Sequence, residues 1–414
     1  MKIAVNTRFL LKDKLEGIGM YTQEIFKRVV QQMPEHEFYF LFDRPFSSAF
    51  IFEKNVTPIV VSPPARHPFL WYWWFEKSVP KVLKENNIDL FISPDGYVSL
   101  NTNIPQIITI HDLGFEHFPK HVPFLVRKYY QYFTPKYCKK ATKILAVSEF
   151  TKRDIISRYK IDKQKIDVVY NGFDVESEKS KAKSQEKEIL TAYCLLNTEY
   201  FIFIGAIHPR KNVLGLLKAF EHFKSAFSHQ HKLVIVGRKA WMNDELENFY
   251  QQMKFKDEVI WIEKVERSDL LQLLQKSFAL VYPSFFEGFG IPILEAMSLG
   301  VPVITSNVSS MSEVAGNAAI LVNPNNTSEI ADAMNLLITD ENLRTDLIAK
   351  GKIRAQYFDW NISAKKVVEI IKTYQKYKQY SKECCFLLTY ILQTAIYNLC
   401  SFINLSISAD TFTY

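Results

Sequence analysis

At 414 residues the chain is long enough for two domains with a core each, and its formal charge of +7, taken over the whole chain, is moderate and identifies no partner. Cys138, Cys194, Cys384, Cys385 and Cys400 show neither metal-ligand spacing nor a disulfide framework, which points to a reducing, cytosolic setting. The opening Met1-Lys-Ile-Ala-Val-Asn reads as a short strand rather than a signal peptide.

The first half repeats one theme, a short apolar run ending in a polar or glycine residue. The runs are Ile3–Val5, Leu90–Ile92, Ile107–Ile110 into His111-Asp112, Ile144–Val147 into Ser148, and Val168–Tyr170 into Asn171. Amphipathic stretches separate most of them, as at Tyr21–Met33, and such alternation predicts an open parallel sheet with ligands at the carboxyl ends of its strands. A polar stretch at Glu176–Glu188 reads as a linker or surface excursion. The theme then restarts with Phe201–Ile204 into Gly205, Leu233–Val236, Val259–Ile262, Phe278–Tyr282, Val303–Thr305 and Ile320–Val322. The expected fold class is α/β: two Rossmann-like doubly wound domains facing across a cleft, at 1–172 and 191–357, joined by a linker at 173–190. A helix from Trp360 to Tyr374, capped by Asp359 or Asn361, belongs to a crossover segment at 358–380 that returns to the N-terminal domain. The tail 381–414 is apolar between Phe386 and Ile407 but carries Gln393, Asn398 and Asn404, which a membrane-spanning helix tolerates poorly.

The segment Glu287-Gly-Phe-Gly-Ile-Pro-Ile-Leu-Glu295 carries the most chemistry. Pro292 stands at the first turn of a helix and Gly300 at its end, giving strand, glycine loop, helix and strand in succession. Such a loop offers backbone N–H groups and a positive helix end to a phosphate. Carboxylates beside it repel phosphate but accept bonds from hydroxyls, so the ligand implied is a nucleotide sugar. Arg210 and Lys211 precede the helix Val213–Phe220, where cations oppose the macrodipole, and they suit a diphosphate leaving group. His111 ends a strand toward the cleft. Gly17 follows the first strand and reads equally as a phosphate or sugar contact and as an ordinary turn glycine. Ser148, Asn171 and Glu313 are explained as well by turns and caps.

Four pieces together resemble the GT-B class of retaining glycosyltransferases, family GT4, over residues 1–375. They are Glu16-Gly-Ile-Gly-Met-Tyr-Thr22, Thr109-Ile-His-Asp-Leu113, Gly205-Ala-Ile-His-Pro-Arg-Lys-Asn212, and Phe286-Glu-Gly-Phe-Gly290 with Glu295 eight residues after Glu287. The resemblance implies a hexosyltransferase, mannosyltransferase-like, in polysaccharide assembly. It implies catalytic roles for His111, Lys211, Arg210 and Glu287. It implies donor contacts at Gly17, Gly205, Gly288, Phe289, Gly290, Ile291 and Glu295, the last on the ribose. Ala206 stands where the family often has a basic residue, so part of the usual phosphate clamp is either missing or supplied by Arg210.

No Asp-x-Asp follows an apolar strand, and fixed cations with a helix end do equivalent work, so the expected chemistry uses no metal and no cofactor beyond the nucleoside diphosphate sugar itself. The acceptor expected is a saccharide or lipid-linked saccharide. From Phe118 to Lys143 there are seven Lys or Arg residues and no acid, interleaved with aromatics. With Trp71–Phe75 this region is a candidate contact for an anionic membrane surface, placing the protein in the cytoplasm or peripherally on the inner face of the membrane. Nucleic acid is not among the expected partners. Alternatives are a nucleotide-sugar epimerase of the same fold and an inactive nucleotide-sugar-binding protein. A nicotinamide dehydrogenase lacks its Gly-x-Gly-x-x-Gly turn.

Overall fold

The computed structural model describes residues 1–12, 15, 17–174, 186–238 and 244–375. Most of the expected linker and all of the tail 381–414 lie outside the described residues. Met1–Ala364 form one compact unit that holds both sheets, and a second unit begins at Lys365. The described part of that second unit, residues 365–375, is helical.

Seven strands build the first sheet: β1 Lys2–Asn6, β2 Glu37–Phe42, β3 Val56–Val60, β4 Leu90–Ser93, β5 Gln106–Ile110, β6 Lys143–Ala146 and β7 Ile166–Val168. Six build the second: β8 Tyr200–Ile204, β9 Lys232–Val236, β10 Val259–Ile262, β11 Ala279–Tyr282, β12 Val303–Ser306 and β13 Ile320–Val322. The orders are β3-β2-β1-β4-β5-β6-β7 and β10-β9-β8-β11-β12-β13, and every paired strand is parallel to its neighbour. Each sheet therefore winds one way from its first strand and then the other, leaving a switch point between β1 and β4 and another between β8 and β11. Every residue of β4, β5, β8, β11 and β12 is buried, so these strands read in the sequence as predominantly apolar runs.

Two strands in the first sheet were not anticipated. β3 contains Pro58 and is only partly buried, as fits an edge strand whose proline withholds no needed donor. β2 lies between β3 and β1 and carries Phe38 and Phe40 into the core. The expected strand Val168–Tyr170 is also corrected: β7 ends at Val168, and Val169 donates to the Ala146 carbonyl at 2.8 Å as pairing stops.

Beyond the second sheet the chain returns to the first. Phe173 N–H donates to the Phe358 carbonyl at 3.2 Å, Ser363 Oγ to the Tyr170 carbonyl at 2.7 Å, and Arg28 Nε to Asn361 Oδ1 at 3.0 Å. Gly172 is needed at this junction, because a Cβ there would lie 2.5 Å from Trp360 N. Of the two residues considered as the cap of the helix at 360–375, Asp359 accepts from Asn361 N–H.

Candidate active site

Adjacent strands β8 and β11 send their exit loops into contact. After β8 the chain runs through Gly205 to the 3₁₀ turn Pro209–Lys211, whose cap His208 accepts at Nδ1 from Arg210 N–H, 3.3 Å. Asn212 follows in the left-handed region, φ 58°, which its type tolerates, and opens the helix Val213–Ala226. Its side-chain amide donates to the carbonyls of Pro283 (3.0 Å) and Pro324 (2.7 Å), while Phe285 N–H donates to the Arg210 carbonyl at 2.8 Å. The basic turn is thereby fixed against the loop after β11.

That loop is nearly all buried from Pro283 to Gly290, so its backbone groups need partners. Serines supply them. Ser306 Oγ donates to the Ser284 carbonyl (2.6 Å), Ser310 Oγ to those of Glu287 (2.8 Å) and Phe289 (3.0 Å), and Ser309 Oγ accepts from Glu287 N–H (3.1 Å). Gly290 adopts φ 100°, closed to most L-residues, and leads into the helix Ile291–Leu299.

The side chains converge on Glu287. Lys211 Nζ lies 2.6 Å from its Oε1 and Arg210 Nη1 3.1 Å from its Oε2. Tyr282 Oη, at the end of β11, donates to Oε1 at 2.9 Å and itself accepts from Lys211. These two bonds leave the ammonium a third proton. Glu287 is buried; burial pushes its carboxyl up, but Lys211 and then Arg210 outweigh it and hold the carboxyl at about 2. Burial lowers the Lys211 ammonium, opposed by Glu287, whereas Glu287 raises the Arg210 guanidinium. Two cations share the Glu287 carboxylate in the loop that leads to a helix N-terminus, an arrangement suited to phosphate.

His111 meets this cluster from the first sheet. Its Nε2 lies 2.8 Å from the Pro94 carbonyl, which can only accept, so Nε2 carries the proton and Nδ1 the lone pair. Burial pushes its pKa below the ordinary 6.5, against the Pro94 bond and the charges of Asp112 and Asp95. The His111 carbonyl packs on Gly288 so closely that a Cβ there would sit 1.9 Å from the oxygen. Asp112 accepts from Gly114 N–H at 2.8 Å, a turn bond, and its charge also reaches Arg210 and Lys211.

Further bonds tie the donor loop to the first sheet. Ser148 Oγ, which caps the helix Glu149–Tyr159, donates to the Gly288 carbonyl at 2.7 Å. Glu313 lies in the first turn of the helix Met311–Ala315, but its carboxylate reaches across to accept from Glu149 N–H (2.7 Å) and Phe150 N–H (2.8 Å). The Phe286 ring lies 4.5 Å from that of His117 and 5.6 Å from that of Phe150, centroid to centroid.

His111, Gly205, Arg210, Lys211, Glu287 and Gly288 are thus brought together, with Gly290 and Ile291 at the adjoining helix end. Glu295 is buried elsewhere on that helix and pairs with Arg267 Nη2 at 2.5 Å. The Phe289 ring packs between Tyr170 and Phe358, at 6.2 and 5.5 Å. Gly17 is exposed at the start of the helix Gly17–Gln32 with open space around it; the close approach in that loop belongs to Gly19, whose Cβ would meet the Phe9 carbonyl at 2.6 Å. Tyr282, Asn212 and the reach of Glu313 were not foreseen. A tyrosine ending an apolar strand beside a lysine-bearing loop is the one signal that could have found Tyr282.

Residues 15–177 match the glycosyltransferase family 4 domain, and residues 195–354 the domain of glycosyl transferases group 1. O-antigen chain mannosyltransferase B of Escherichia coli is 31% identical over 255 residues, 61% of this chain and 66% of that protein. O-antigen chain mannosyltransferase RfbU of Salmonella typhimurium is 31% identical over 260 residues, 62% of this chain and 67% of that one. The alignments thus span about two thirds of these relatives. The structure of HepE from Anabaena, solved in complex with UDP and glucose, superposes with a TM-score of 0.68 at 19% identity, covering 90% of this chain and 100% of that one. With both family domains matched and two sheets in the corresponding arrangement, the chain belongs to glycosyltransferase family 4 and has the GT-B fold.

Proposed function

We propose that the protein transfers a hexose, with retention of anomeric configuration, from a nucleoside diphosphate sugar to a hydroxyl of a saccharide or lipid-linked saccharide during cell-surface polysaccharide assembly. The observation that carries this is the cluster of Lys211 and Arg210 on the buried Glu287, in the loop packed on the His111 carbonyl. GDP-mannose is the donor favoured, because the two relatives above are named as mannosyltransferases. A UDP sugar is the second choice, following the complex of HepE.

In this reading the acceptor oxygen bonds to the anomeric carbon as the carbon–oxygen bond to the diphosphate breaks, both on one face, and the leaving phosphate takes the acceptor's proton. Charge grows on that phosphate, so Lys211, Arg210 and the N-terminus of the helix Ile291–Leu299 stabilise the transition state more than the ground state. Glu287 and neutral His111 accept or donate bonds to sugar hydroxyls, Glu295 holds the ribose in competition with Arg267, and Gly205, Gly288 and the backbone of Phe289 to Ile291 line the donor. Gly17 approaches the donor from the first sheet. The fixed cations do the work a divalent metal does elsewhere, so the reaction proposed is metal-independent. Closed contacts of the kind seen at Gly288 exclude water, a competing acceptor.

Thermal-shift screening against GDP, UDP and ADP sugars tests the donor, since specific binding stabilises in proportion to the logarithm of ligand over Kd. Nuclear magnetic resonance of the product then tests retention. Nucleotide release with no new glycosidic bond would favour the epimerase alternative.

A further inference from the structure

Five of the six exposed large aromatic residues among the described residues lie on two short stretches that touch: Phe69, Tyr72 and Trp73 on the helix Pro68–Trp73, and Phe124 and Tyr132 on the helix Phe124–Lys140. Phe69 is 74% exposed, Phe124 61%, Tyr132 58% and Trp73 55%. Contiguous aromatic exposure on this scale marks a contact surface.

The rings beneath are packed and hydrogen-bonded. Trp71 Nε1 donates to the Ala65 carbonyl at 2.8 Å, and the Trp71 ring stacks on Tyr130, centroids 5.9 Å apart and planes 11° apart. Tyr72 meets Phe133 at 6.0 Å and Phe133 meets Tyr132 at 4.9 Å, which joins the exposed Tyr72 of one helix to the exposed Tyr132 of the other. Of the other candidates in the sequence, Trp74 and Phe75 are buried and Trp71 is half-buried against the core.

Charge selects the partner. Phe124, Lys128, Tyr132 and Lys136 recur every four residues along one side of their helix. Lys136 Nζ sits 3.4 Å from the Tyr132 ring centroid and Lys128 Nζ 5.8 Å from that of Phe124. No acid occurs between Phe118 and Lys143. Aromatic rings with ammonium groups beside them, and no carboxylate, match the boundary between acyl chains and anionic headgroups. A protein partner of ordinary mixed charge would leave these cations unanswered. We infer that this surface docks the protein on an anionic lipid bilayer. The inner side of the same platform leads to the cleft: Tyr130 Oη and Tyr97 Oη are 3.1 Å apart, Tyr97 covers the Arg8 guanidinium, Arg8 pairs with Asp95 at 2.5 Å, and the neighbouring Pro94 holds His111. Docking here deepens the proposal of a lipid-linked acceptor by bringing that acceptor's anchor to the acceptor side of the site, but its test needs no turnover.

The experiment is co-sedimentation of the full chain with vesicles of phosphatidylcholine containing about a third phosphatidylglycerol, against phosphatidylcholine alone, at low and at high salt. Wild type is expected to pellet only with the anionic vesicles and to be released by salt. Each basic residue near the leaflet contributes about fivefold, so Lys128→Glu with Lys136→Glu is expected to weaken binding at least 25-fold. Phe69→Ser with Trp73→Ser and Phe124→Ser is expected to weaken it at least tenfold, with melting temperatures unchanged in both variants because every altered side chain is exposed. Failure of wild type to pellet at low salt overturns the inference. So does equal binding to neutral vesicles, or binding that both variants retain, which would assign it to another part of the chain. Self-association through these residues without pelleting would make the surface a protein interface and overturn it as well. None of these outcomes bears on the Lys211–Glu287 site.

Discussion

Replacing Lys211 by Met separates a catalytic cation from a structural one. The ammonium is 2.6 Å from Glu287 and bonded to Tyr282, yet its loss does not strand the carboxylate, which keeps Arg210 at 3.1 Å and the Tyr282 hydroxyl at 2.9 Å. Burial already disfavours the charged amine, and Met is of similar length. The expected destabilisation is therefore within about 2 kcal/mol, because no buried charge is left unpaired. In a domain of this size that lowers Tm by about 4–8 °C. Transfer should suffer far more. Removing one fixed group that stabilises developing negative charge costs about 2.7–4 kcal/mol, or 10²–10³ in kcat. Steady-state transfer from the donor identified by thermal shift, run well below the melting temperature of both proteins, measures it. A kcat within about threefold of wild type in a folded Lys211→Met protein would refute the role of this residue at the leaving group. Lys211→Arg should not restore full activity, since a planar guanidinium cannot sit where the compact ammonium does beside Gly205.

Glu287→Gln should cost more stability than Lys211→Met: it leaves the partly buried Lys211 and Arg210 without their shared carboxylate, at a cost of up to about 3–5 kcal/mol. Because the Glu287 pKa falls from 4.5 to about 2 on folding, its contribution is complete above about pH 4.5 and is lost as pH falls through 2. Urea midpoints measured across that window should fall in wild type and lack this component in Glu287→Gln; parallel curves would contradict the assignment. Gly288→Ala places a Cβ 1.9 Å from the His111 carbonyl and must push the donor loop away, so transfer is expected to drop about 10²-fold, and a normal rate would show that the loop need not touch His111. Glu313→Ala removes two charge-assisted bonds at a helix N-terminus, worth about 1–2 kcal/mol, and should enlarge the radius of gyration in small-angle scattering; an unchanged radius would show that Ser148 and Phe286 hold the halves together without it.

The donor-side sheet was legible strand by strand because its central strands are buried on both faces and stand out as predominantly apolar runs. Their endings named most of the site as well: a parallel sheet gathers its carboxyl-end residues at one edge, so Gly205, Arg210, Lys211 and Glu287 could be grouped without coordinates. β3 escaped because an edge strand with Pro58 breaks the apolar pattern; β2, an aromatic run that ends in Asp43, follows the same theme as the strands that were legible.

Local pattern thus determined the fold class, the two repeats and the charged loops, since each depends on residues close together in the chain. Only tertiary structure decided which partners those residues meet. Glu313 looked like a helix-start carboxylate, and 164 residues separate it from the Glu149 N–H it bonds. Tyr282 looked like core, and packing turned its hydroxyl onto Glu287. Among the tryptophans at 71–74, burial alone put Trp74 in the core, left Trp71 half-buried against it and Trp73 at the surface. Pairing across space is set by how the layers stack, and no periodicity within one segment records it.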